Sequence, residues 1–239
     1  MPAQQLNLPL SLADDTLFDN FLTSPQSTRA QVLASLKSPF QGSDERSPLG
    51  NVLLWGAVGS GLTHLLQASC HEAVSQGQRI QYLSLETMAS YPPRDVLEGL
   101  AACQLLCLDN LQAVIGLPAW EEALFHLFNT LMANGGRLLM TANAAPRALS
   151  IKLADLESRL AASTVFQLVP YSDEEKTAIV KLRAARLGLS LSEEALGFLM
   201  NRAPRDLHSL LDHLYQLDSL ALQYQSRVTI PLMKKAFGW

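Results

Sequence analysis

The chain lacks the sequence features of membrane proteins, of secreted proteins and of proteins that bind DNA through a broad basic surface. None of its apolar stretches approaches the roughly 20 residues needed to cross a bilayer. Its N-terminus has no basic start followed by an apolar run, so no secretory signal is predicted. The 18 basic residues are outnumbered by 22 acidic ones, which gives a net charge of −4 and disfavours a broad basic DNA-binding surface, while leaving room for a local patch. A cytoplasmic location follows as the expectation.

Cysteine is also scarce. The three cysteines, Cys70, Cys103 and Cys107, lie in apolar surroundings without C-x-x-C spacing, so we expect reduced thiols in the core. The five histidines are scattered along the chain, and no metal site made of protein ligands alone is predicted. What the chain does have is 48% apolar residues over 239 positions, enough to bury a sizeable core.

The order of apolar patterns predicts an α/β domain followed by a small helical one. Residues 1–15 form a polar tail, residues 16–170 alternate strands with helices, and residues 171–239 contain helices only. Repeated strand–helix units imply a parallel sheet with helices on both faces, and a capping box at Ser172–Glu175 begins the helical part. The predicted strands are 51–55, 80–85, 105–108, 137–141 and 164–168, and the predicted helices are 26–37, 62–76, 95–102, 120–133, 152–160, 173–187, 193–203, 206–223 and a short one from 230.

One glycine-rich loop lacks the lysine that its pattern requires. Residues 56–63 read G-A-V-G-S-G-L-T and follow G-x-x-x-x-G-K-[ST] at every fixed position except Leu62. The loop joins a predicted strand to a predicted helix, the context in which backbone N–H groups bind phosphate oxygens, and Thr63 is placed to bind a metal ion bridging the phosphates. A strand–turn–helix corner is the alternative. The predicted nucleotide contacts are Gly56, Val58, Gly59, Ser60, Gly61, Leu62, Thr63 and His64.

Polar side chains end two later strands. The apolar run 105–108 ends at Asp109, which puts a carboxylate at the sheet edge where nucleotide-bound magnesium lies. The next residue is often a second acid that polarises water in ATPases, but Asn110 stands there and an amide cannot accept a proton from water. Asn143 follows strand 137–141 and could orient a water or phosphate. Alone, Asp109 could be a strand-end cap, and Asn143 is better explained as a turn residue.

The glycine-rich loop, the strand that ends at Asp109 and the strand before Asn143 follow one another along the chain as in an AAA+ module of the DnaA type, which they resemble. The resemblance covers nearly all of the chain. It implies a P-loop AAA+ domain followed by a helical lid, with ADP or another nucleoside diphosphate and Mg²⁺ bound. Segment 155–160 is similar to the one that carries the family's arginine finger, which assigns that role to Arg159. Segment 203–207 resembles sensor 2, where Arg205 would touch the phosphates. Each arginine also has a structural alternative. Arg159 could be a solvated charge on its helix, and Arg205 could cap the preceding helix.

Two further segments carry the resemblance. Residues 16–21 are similar to the segment that lines the base pocket, which implicates Phe18 and Phe21, although aromatics three apart are more often core. The tail Q-L-N-L-P-L at 5–10 resembles the peptide that docks on the replicative β sliding clamp, and its alternating leucines would also suit an edge strand. A short extended peptide with apolar anchors and a proline is a recurrent recognition device. Its predicted contacts are Gln5, Leu6, Leu8, Pro9 and Leu10.

The resemblance implies a negative regulator of replication initiation. With the DNA-loaded clamp, Arg159 would stimulate hydrolysis of DnaA-bound ATP in trans, while the chain's own nucleotide is structural. The alternatives are a loader or remodeller that hydrolyses its own ATP, against which Leu62 and Asn110 argue, and a nucleotide-free adaptor. DnaA initiators carry a C-terminal helix-turn-helix domain, whereas this chain stops at Trp239, so sequence-specific DNA binding is not expected and DNA would be met through the clamp. Self-association is compatible with this interpretation.

Overall fold

The computed structural model describes residues 12, 15–24, 27–37, 50–224 and 227–239. The predicted clamp-binding peptide at 5–10 and nearly all of the loop predicted at 38–50 lie outside these residues. Two compact units divide between Val169 and Pro170.

A parallel sheet forms the centre of the first unit. Its strands lie in the order β2-β3-β4-β1-β5, and every neighbouring pair is parallel. Parallel pairing brings the carboxyl ends of the strands to one edge, where ligands bind in open α/β sheets. The strands are β1 Val52–Gly56, β2 Ile80–Ser84, β3 Leu105–Asp109, β4 Arg137–Ala142 and β5 Thr164–Leu168.

Helices cover both faces of this sheet, and the predicted fold class is confirmed. Along β3, alternate side chains point to opposite faces: Leu106 and Leu108 join the core that contains α5 and α6, while the Cys107 thiol lies 3.9 Å from the Leu66 carbonyl oxygen of α2. Asp109 therefore points to the α2 face. The helices are α1 Thr28–Lys37, α2 Leu62–Ser75, α3 Leu85–Met88, α4 Pro93–Leu97, α5 Pro118–Ala133 and α6 Ala154–Ala161, and 3₁₀ turns cover Phe18–Asn20, Leu100–Ala102, Leu111–Ala113 and Pro146–Ala148.

The helix predicted at 95–102 is wrong as one element. The structure has α4, which ends at Leu97, and a separate 3₁₀ turn at Leu100–Ala102. Gly99 lies between them at φ 79°, a left-handed conformation that ends a helix and that glycine adopts without steric cost. The strand predicted at 80–85 likewise ends one residue early, because Leu85 begins α3.

The second unit is helical, as predicted. The capping box is confirmed: the Glu175 N–H donates to Ser172 Oγ at 3.2 Å, and the Ser172 N–H donates to the Glu175 carboxylate at 2.7 Å. A separate core holds this unit together, and its fully buried members include Leu199, Leu210 and Leu214. The helices are α7 Asp173–Arg186, α8 Glu193–Arg202, α9 Leu207–Tyr224 and α10 Ile230–Phe237. No helix in the described part of the chain is both long and apolar enough to cross a membrane.

The cysteines differ from the expectation at one position. All three are free thiols, and Cys70 and Cys107 are buried as predicted, but Cys103 is only half-buried. It follows the 3₁₀ turn at Leu100–Ala102 rather than lying within a strand. Burial raises the pKa of both Cys103 and Cys107. Cys103 and Cys107 should therefore react slowly, because the thiolate is the nucleophile, and Cys70 is inaccessible in the folded protein.

This distribution predicts the thiol chemistry of the folded protein. With Ellman's reagent near pH 8, we expect slow labelling of Cys103 alone, and labelling of Cys70 and Cys107 only after unfolding in denaturant, since both are inaccessible in the native state. Cys103→Ser is the control and should abolish labelling of the folded protein. Rapid reaction of two or more thiols without denaturant would contradict this packing.

Candidate nucleotide site

The loop after β1 has the backbone shape of an anion cradle. Gly59 and Gly61 adopt φ 81° and 94°, and a Cβ atom at Gly59 would meet nothing within 4 Å. The loop closes through a hydrogen bond of 3.2 Å from the Ser60 N–H to the Ala57 carbonyl. Left-handed residues within such a turn direct successive backbone N–H groups into one concavity. Glycine is required here by conformation, and the space before the loop is open.

Gly56 is required for a different reason, close approach. A Cβ atom there would lie 2.2 Å from the Leu168 carbonyl oxygen of β5, so a side chain would push the loop away from the sheet. Nearby, Ser60 Oγ is fully buried and has no hydrogen-bond partner among the described residues. Buried polar atoms are nearly always paired, and an orphaned hydroxyl within a phosphate loop is an observation that fits a bound anion.

The first turn of α2 extends the cradle. Gly61 is the N-cap, no side chain caps the helix, and the Leu65 N–H donates to the Gly61 carbonyl at 3.1 Å. The N–H groups before Leu65 therefore point out of the helix end, where the helix dipole also favours an anion. Leu62 is half-buried and brings no charge. The backbone N–H groups and the helix dipole provide positive potential at this end.

Asp109 is the centre of the site. Its carboxylate is 2% exposed and accepts three side-chain hydroxyls. Thr63 Oγ1 and Tyr82 Oη each donate to Oδ2 at 2.8 Å, and Thr141 Oγ1 donates to Oδ1. A buried charge needs such partners because burial removes its hydration. Burial, followed by the charge of Asp109, raises the pKa of Tyr82, so the phenol remains a donor.

The predicted magnesium ligands, Thr63 and Asp109, are thus in direct contact. Thr63 is exposed at the surface of the cradle while its hydroxyl reaches the buried carboxylate. Both offer oxygen atoms, the ligand type that Mg²⁺ prefers, together with phosphate oxygens. In the described residues no group of three or more His, Cys, Asp or Glu side chains could hold a metal without such help. The donor set fits a metal that enters with a nucleotide, and its binding stays a prediction.

The two asparagines lie at adjacent strand ends and are bridged by Gln112. Asn110 is the one non-glycine residue with positive φ in the described ranges, at 64°, a conformation that asparagine tolerates. Its N–H donates to Thr141 Oγ1 at 2.9 Å, and its Oδ1 accepts from Gln112 Nε2 at 3.0 Å. Gln112 Oε1 accepts the Asn143 N–H at 3.1 Å. This bridge holds an amide, not an acid, beside Asp109.

The segment before α1 packs on the start of α2. Thr16 Oγ1 donates to Gln67 Oε1 at 3.0 Å, and the His64 ring donates through Nε2 to the Leu17 carbonyl at 2.9 Å. Phe18 and Phe21 are buried, which matches the core alternative, and the Phe21 ring centroid lies 5.5 Å from that of His64. The segment therefore lies beside the phosphate loop, and its contact with a base stays a prediction.

The two predicted arginines are both exposed. Arg159 lies on α6, and its guanidinium makes no hydrogen bond or ion pair with any residue that the structure describes. Arg205 belongs to the helical unit, where its side chain is 81% exposed and lies 3.8 Å from the Asp173 carboxylate. An exposed pair of this kind contributes little to stability. Neither arginine is therefore committed to holding its own unit together.

Sequence reasoning missed four polar residues of this site. Thr141 and Gln112 hold the strand ends, while Gln67 hydrogen-bonds Tyr82. Thr141 could have been found, because it is a polar residue in an otherwise apolar buried strand. Tyr82 lies within the strand predicted at 80–85, and periodicity gives no sign that its hydroxyl reaches Asp109.

Comparison with known families divides the chain at the same place as the fold. Residues 12–167 match the model of the bacterial DnaA ATPase domain, and residues 173–237 match that of the Hda lid domain. An uncharacterized protein of Haemophilus influenzae is 40% identical over 233 residues, which cover 97% of both chains. The first match alone spans more than half of the 239 residues.

Solved structures share the fold at low sequence identity. Domain III of the replication initiation protein DnaA from Thermotoga maritima aligns with a TM-score of 0.76 and 23% identity, over 95% of this chain and 97% of that one. AMPPCP-bound DnaA from Aquifex aeolicus aligns at 0.71 and 21%, over 88% and 67%. The RuvB branch migration motor of Thermotoga maritima aligns at 0.64 and 17%, over 90% and 69%.

The hydroxyl of Tyr82 is predicted to stabilise the site measurably. Tyr82→Phe removes a hydrogen bond to a buried charge, a contribution of about 1.5–3 kcal/mol, and urea unfolding should show a loss of that order. Tyr91→Phe removes the same atom from a side chain that is 49% exposed and should change the free energy of unfolding by less than about 0.5 kcal/mol. Equal values for the two variants would contradict the role given to Tyr82.

The same contact sets a pH dependence. Because the folded-state pKa of Tyr82 is raised, its contribution is complete below the unfolded value of about 10 and is lost as pH rises above it. Tyr82→Phe should lack this component of the alkaline loss.

Proposed function

Because the chain belongs to the bacterial DnaA ATPase domain family and carries a lid of the Hda type, we propose that it is a regulator that acts on DnaA. With the DNA-loaded β sliding clamp, it stimulates hydrolysis of DnaA-bound ATP and so inhibits replication initiation. The observation that carries this proposal is the exposed Arg159 on α6, whose guanidinium has no partner among the described residues. It occurs in a chain whose own site has Leu62 in place of the motif's lysine and Asn110 in place of the second acid after Asp109.

Arg159 is the group that acts on the partner. Its guanidinium stabilises the charge that develops on the γ-phosphate of ATP held by a neighbouring DnaA molecule. Arginine fingers supplied in trans accelerate hydrolysis by ~10³–10⁵ in other NTPases. The exposure of Arg159 and the lack of a partner among the described residues support this role, because a guanidinium tied to its own fold would have to break those contacts first.

The chain's own nucleotide, ADP with Mg²⁺, has a structural role in this proposal. The loop at 56–61 and the first turn of α2 offer N–H groups to the phosphates, and Thr63 with Asp109 would hold the metal. Bound Mg²⁺ would supply charge neutralisation at the phosphates. The binding of AMPPCP by the Aquifex aeolicus DnaA supports a nucleotide in this fold. Phe18, Phe21, Asn143 and Arg205 are proposed as further contacts.

Two side chains disfavour self-hydrolysis, the competing function. Leu62 offers no charge to the terminal phosphates, and Asn110 cannot accept a proton from water. Gln112 Nε2 donates to Asn110 Oδ1 at 3.0 Å. Among the described residues, the hydrogen-bond partners of Asn110 include no carboxylate that could act as the base in its place. In this proposal ATP is hydrolysed in the DnaA site, while this chain's own site keeps the groups needed to bind a nucleotide.

The tail supplies the proposed link to the clamp. Gln5, Leu6, Leu8, Pro9 and Leu10 are proposed to dock on the clamp, on the strength of the sequence alone. A clamp threaded on DNA would then hold Arg159 near DnaA bound to the same DNA. Such tethering raises effective concentration and compensates for a weak direct contact.

The two partner contacts should separate by mutation. Arg159→Ala should lower stimulated hydrolysis of DnaA-bound ATP to nearly the rate of DnaA alone, a loss of at least about 10³-fold. Clamp binding should stay intact. Gln5→Ala combined with Leu8→Ala should abolish clamp binding and, with it, stimulation. The assay contains DnaA–ATP, DNA-loaded clamp and this protein, each omitted in turn.

Arg147→Ala is the matched control, because Arg147 is another exposed arginine of the first unit, in the 3₁₀ turn Pro146–Ala148. It should leave stimulation at the original level. Full activity of Arg159→Ala would show that the finger is assigned to the wrong residue.

ADP should stabilise the purified chain against heat. A ligand at 100 times its Kd adds about 2.7 kcal/mol to the free energy of unfolding, and differential scanning fluorimetry with and without Mg²⁺ measures the shift. Asp109→Asn should reduce the part that depends on Mg²⁺. No shift with ADP would favour the nucleotide-free adaptor. Rapid ATP turnover by the chain alone, lost in Asp109→Ala, would favour the ATPase alternative.

A further inference from the structure

A second buried carboxylate lies outside the nucleotide site. Glu121 belongs to the first turn of α5 and is 1% exposed. From the described residues it accepts only backbone N–H groups: Gly116 at 2.7 Å and Lys152 at 3.1 Å to Oε1, and Lys152 at 3.0 Å and Leu153 at 2.8 Å to Oε2. Both carboxylate oxygens are thus occupied, and two segments separated by over 30 positions meet on one side chain.

The unpaired N–H donors at the start of α6 explain why this contact matters. Leu153 is the N-cap of α6, and no side chain caps that helix. A helix start leaves N–H groups without partners, which capping side chains normally satisfy. Glu121 provides a carboxylate at this end from another helix, and its negative charge also suits the N-terminal dipole.

The helix that begins there is short and carries Arg159. Only eight residues, Ala154–Ala161, are helical, with Leu156 and Leu160 buried in the core and Arg159 exposed. Isolated helices of this length are unstable in water. The direction of α6, and therefore of the Arg159 side chain, depends on the buried leucines and on how the start of the helix is held.

We propose that Glu121 is a positioning residue for Arg159. It fixes the residues before α6 and so sets where the guanidinium points, without touching substrate or nucleotide itself. The inference rests on the proposed function, since it gives Glu121 a part in the stimulation of DnaA. Its rival is a purely structural role, in which Glu121 only stabilises the first unit.

Glu121→Gln tests the inference, because the amide keeps the shape of the side chain but has one acceptor oxygen for the four contacts. Amide hydrogen exchange should become faster at Gly116, Lys152, Leu153 and the first turn of α6. In the assay with DnaA–ATP and DNA-loaded clamp, the maximal stimulated rate should fall by about 10- to 100-fold, since a displacement near 1 Å can cost about 10²-fold. The half-saturating protein concentration and the affinity for ADP should stay the same.

Glu122→Gln is the matched control. It makes the same change at the next residue of α5, where the side chain is 74% exposed and lies 3.9 Å from His126. It should alter neither hydrogen exchange nor stimulation. Glu121→Asp keeps the charge on a shorter side chain and should lose less activity than Glu121→Gln. It also provides the measurement if Glu121→Gln is poorly folded at the assay temperature.

The folded fraction separates positioning from structure. If Glu121 acts through Arg159, the maximal stimulated rate should fall in Glu121→Gln samples that are fully folded by urea unfolding and bind ADP as the unchanged chain does. A fall in rate that only matches the fraction of unfolded protein would show a purely structural role and overturn the inference. So would normal exchange and rate in Glu121→Gln while Arg159→Ala is inactive. Full stimulation by Arg159→Ala would instead overturn the proposed function, and this inference with it.

Discussion

The arrangement of the nucleotide site depends on one buried carboxylate. Asp109 takes hydroxyl hydrogen bonds from Thr63, Tyr82 and Thr141, which belong to α2, β2 and β4. Three elements are therefore tied to the end of β3 through a charge that burial would otherwise make costly. Because Thr63 is also the last residue of the phosphate loop motif, the same contact places the start of α2, with its outward N–H groups, against the sheet.

In this chain the loop after β1 keeps the backbone geometry of an anion cradle, while Leu62 and Asn110 stand where the hydrolysis motifs have a lysine and a second acid. The cradle depends on backbone conformation, and the left-handed glycines and the uncapped helix end remain. Hydrolysis depends on side-chain charge, which is missing at Leu62 and Asn110. Family membership in the bacterial DnaA ATPase domains accounts for the fold. The proposed action on DnaA follows from what the site lacks, together with an exposed arginine on α6.

Much of the fold was predictable, because its signals are local. Apolar strands of about five residues, the glycine-rich loop and the capping box at Ser172 each act within one short segment, and all lie where the sequence pattern places them. The errors are also local. The helix predicted at 95–102 is divided at Gly99, whose positive φ outweighs the apolar pattern around it. Cys103 is only half-buried, since it leaves the 3₁₀ turn near the surface.

The sequence by itself determined the order of strands and helices, the phosphate loop and the loss of its lysine, since these depend on neighbouring residues. Only the tertiary structure decided which polar groups meet. Tyr82 and Thr141 reach Asp109 across 27 and 32 positions of chain, and Glu121 reaches the start of α6 across 32. Hydrogen bonds require separations near 3 Å. Which groups come that close is set by the order of the strands within the sheet, β2-β3-β4-β1-β5, which differs from their order along the chain.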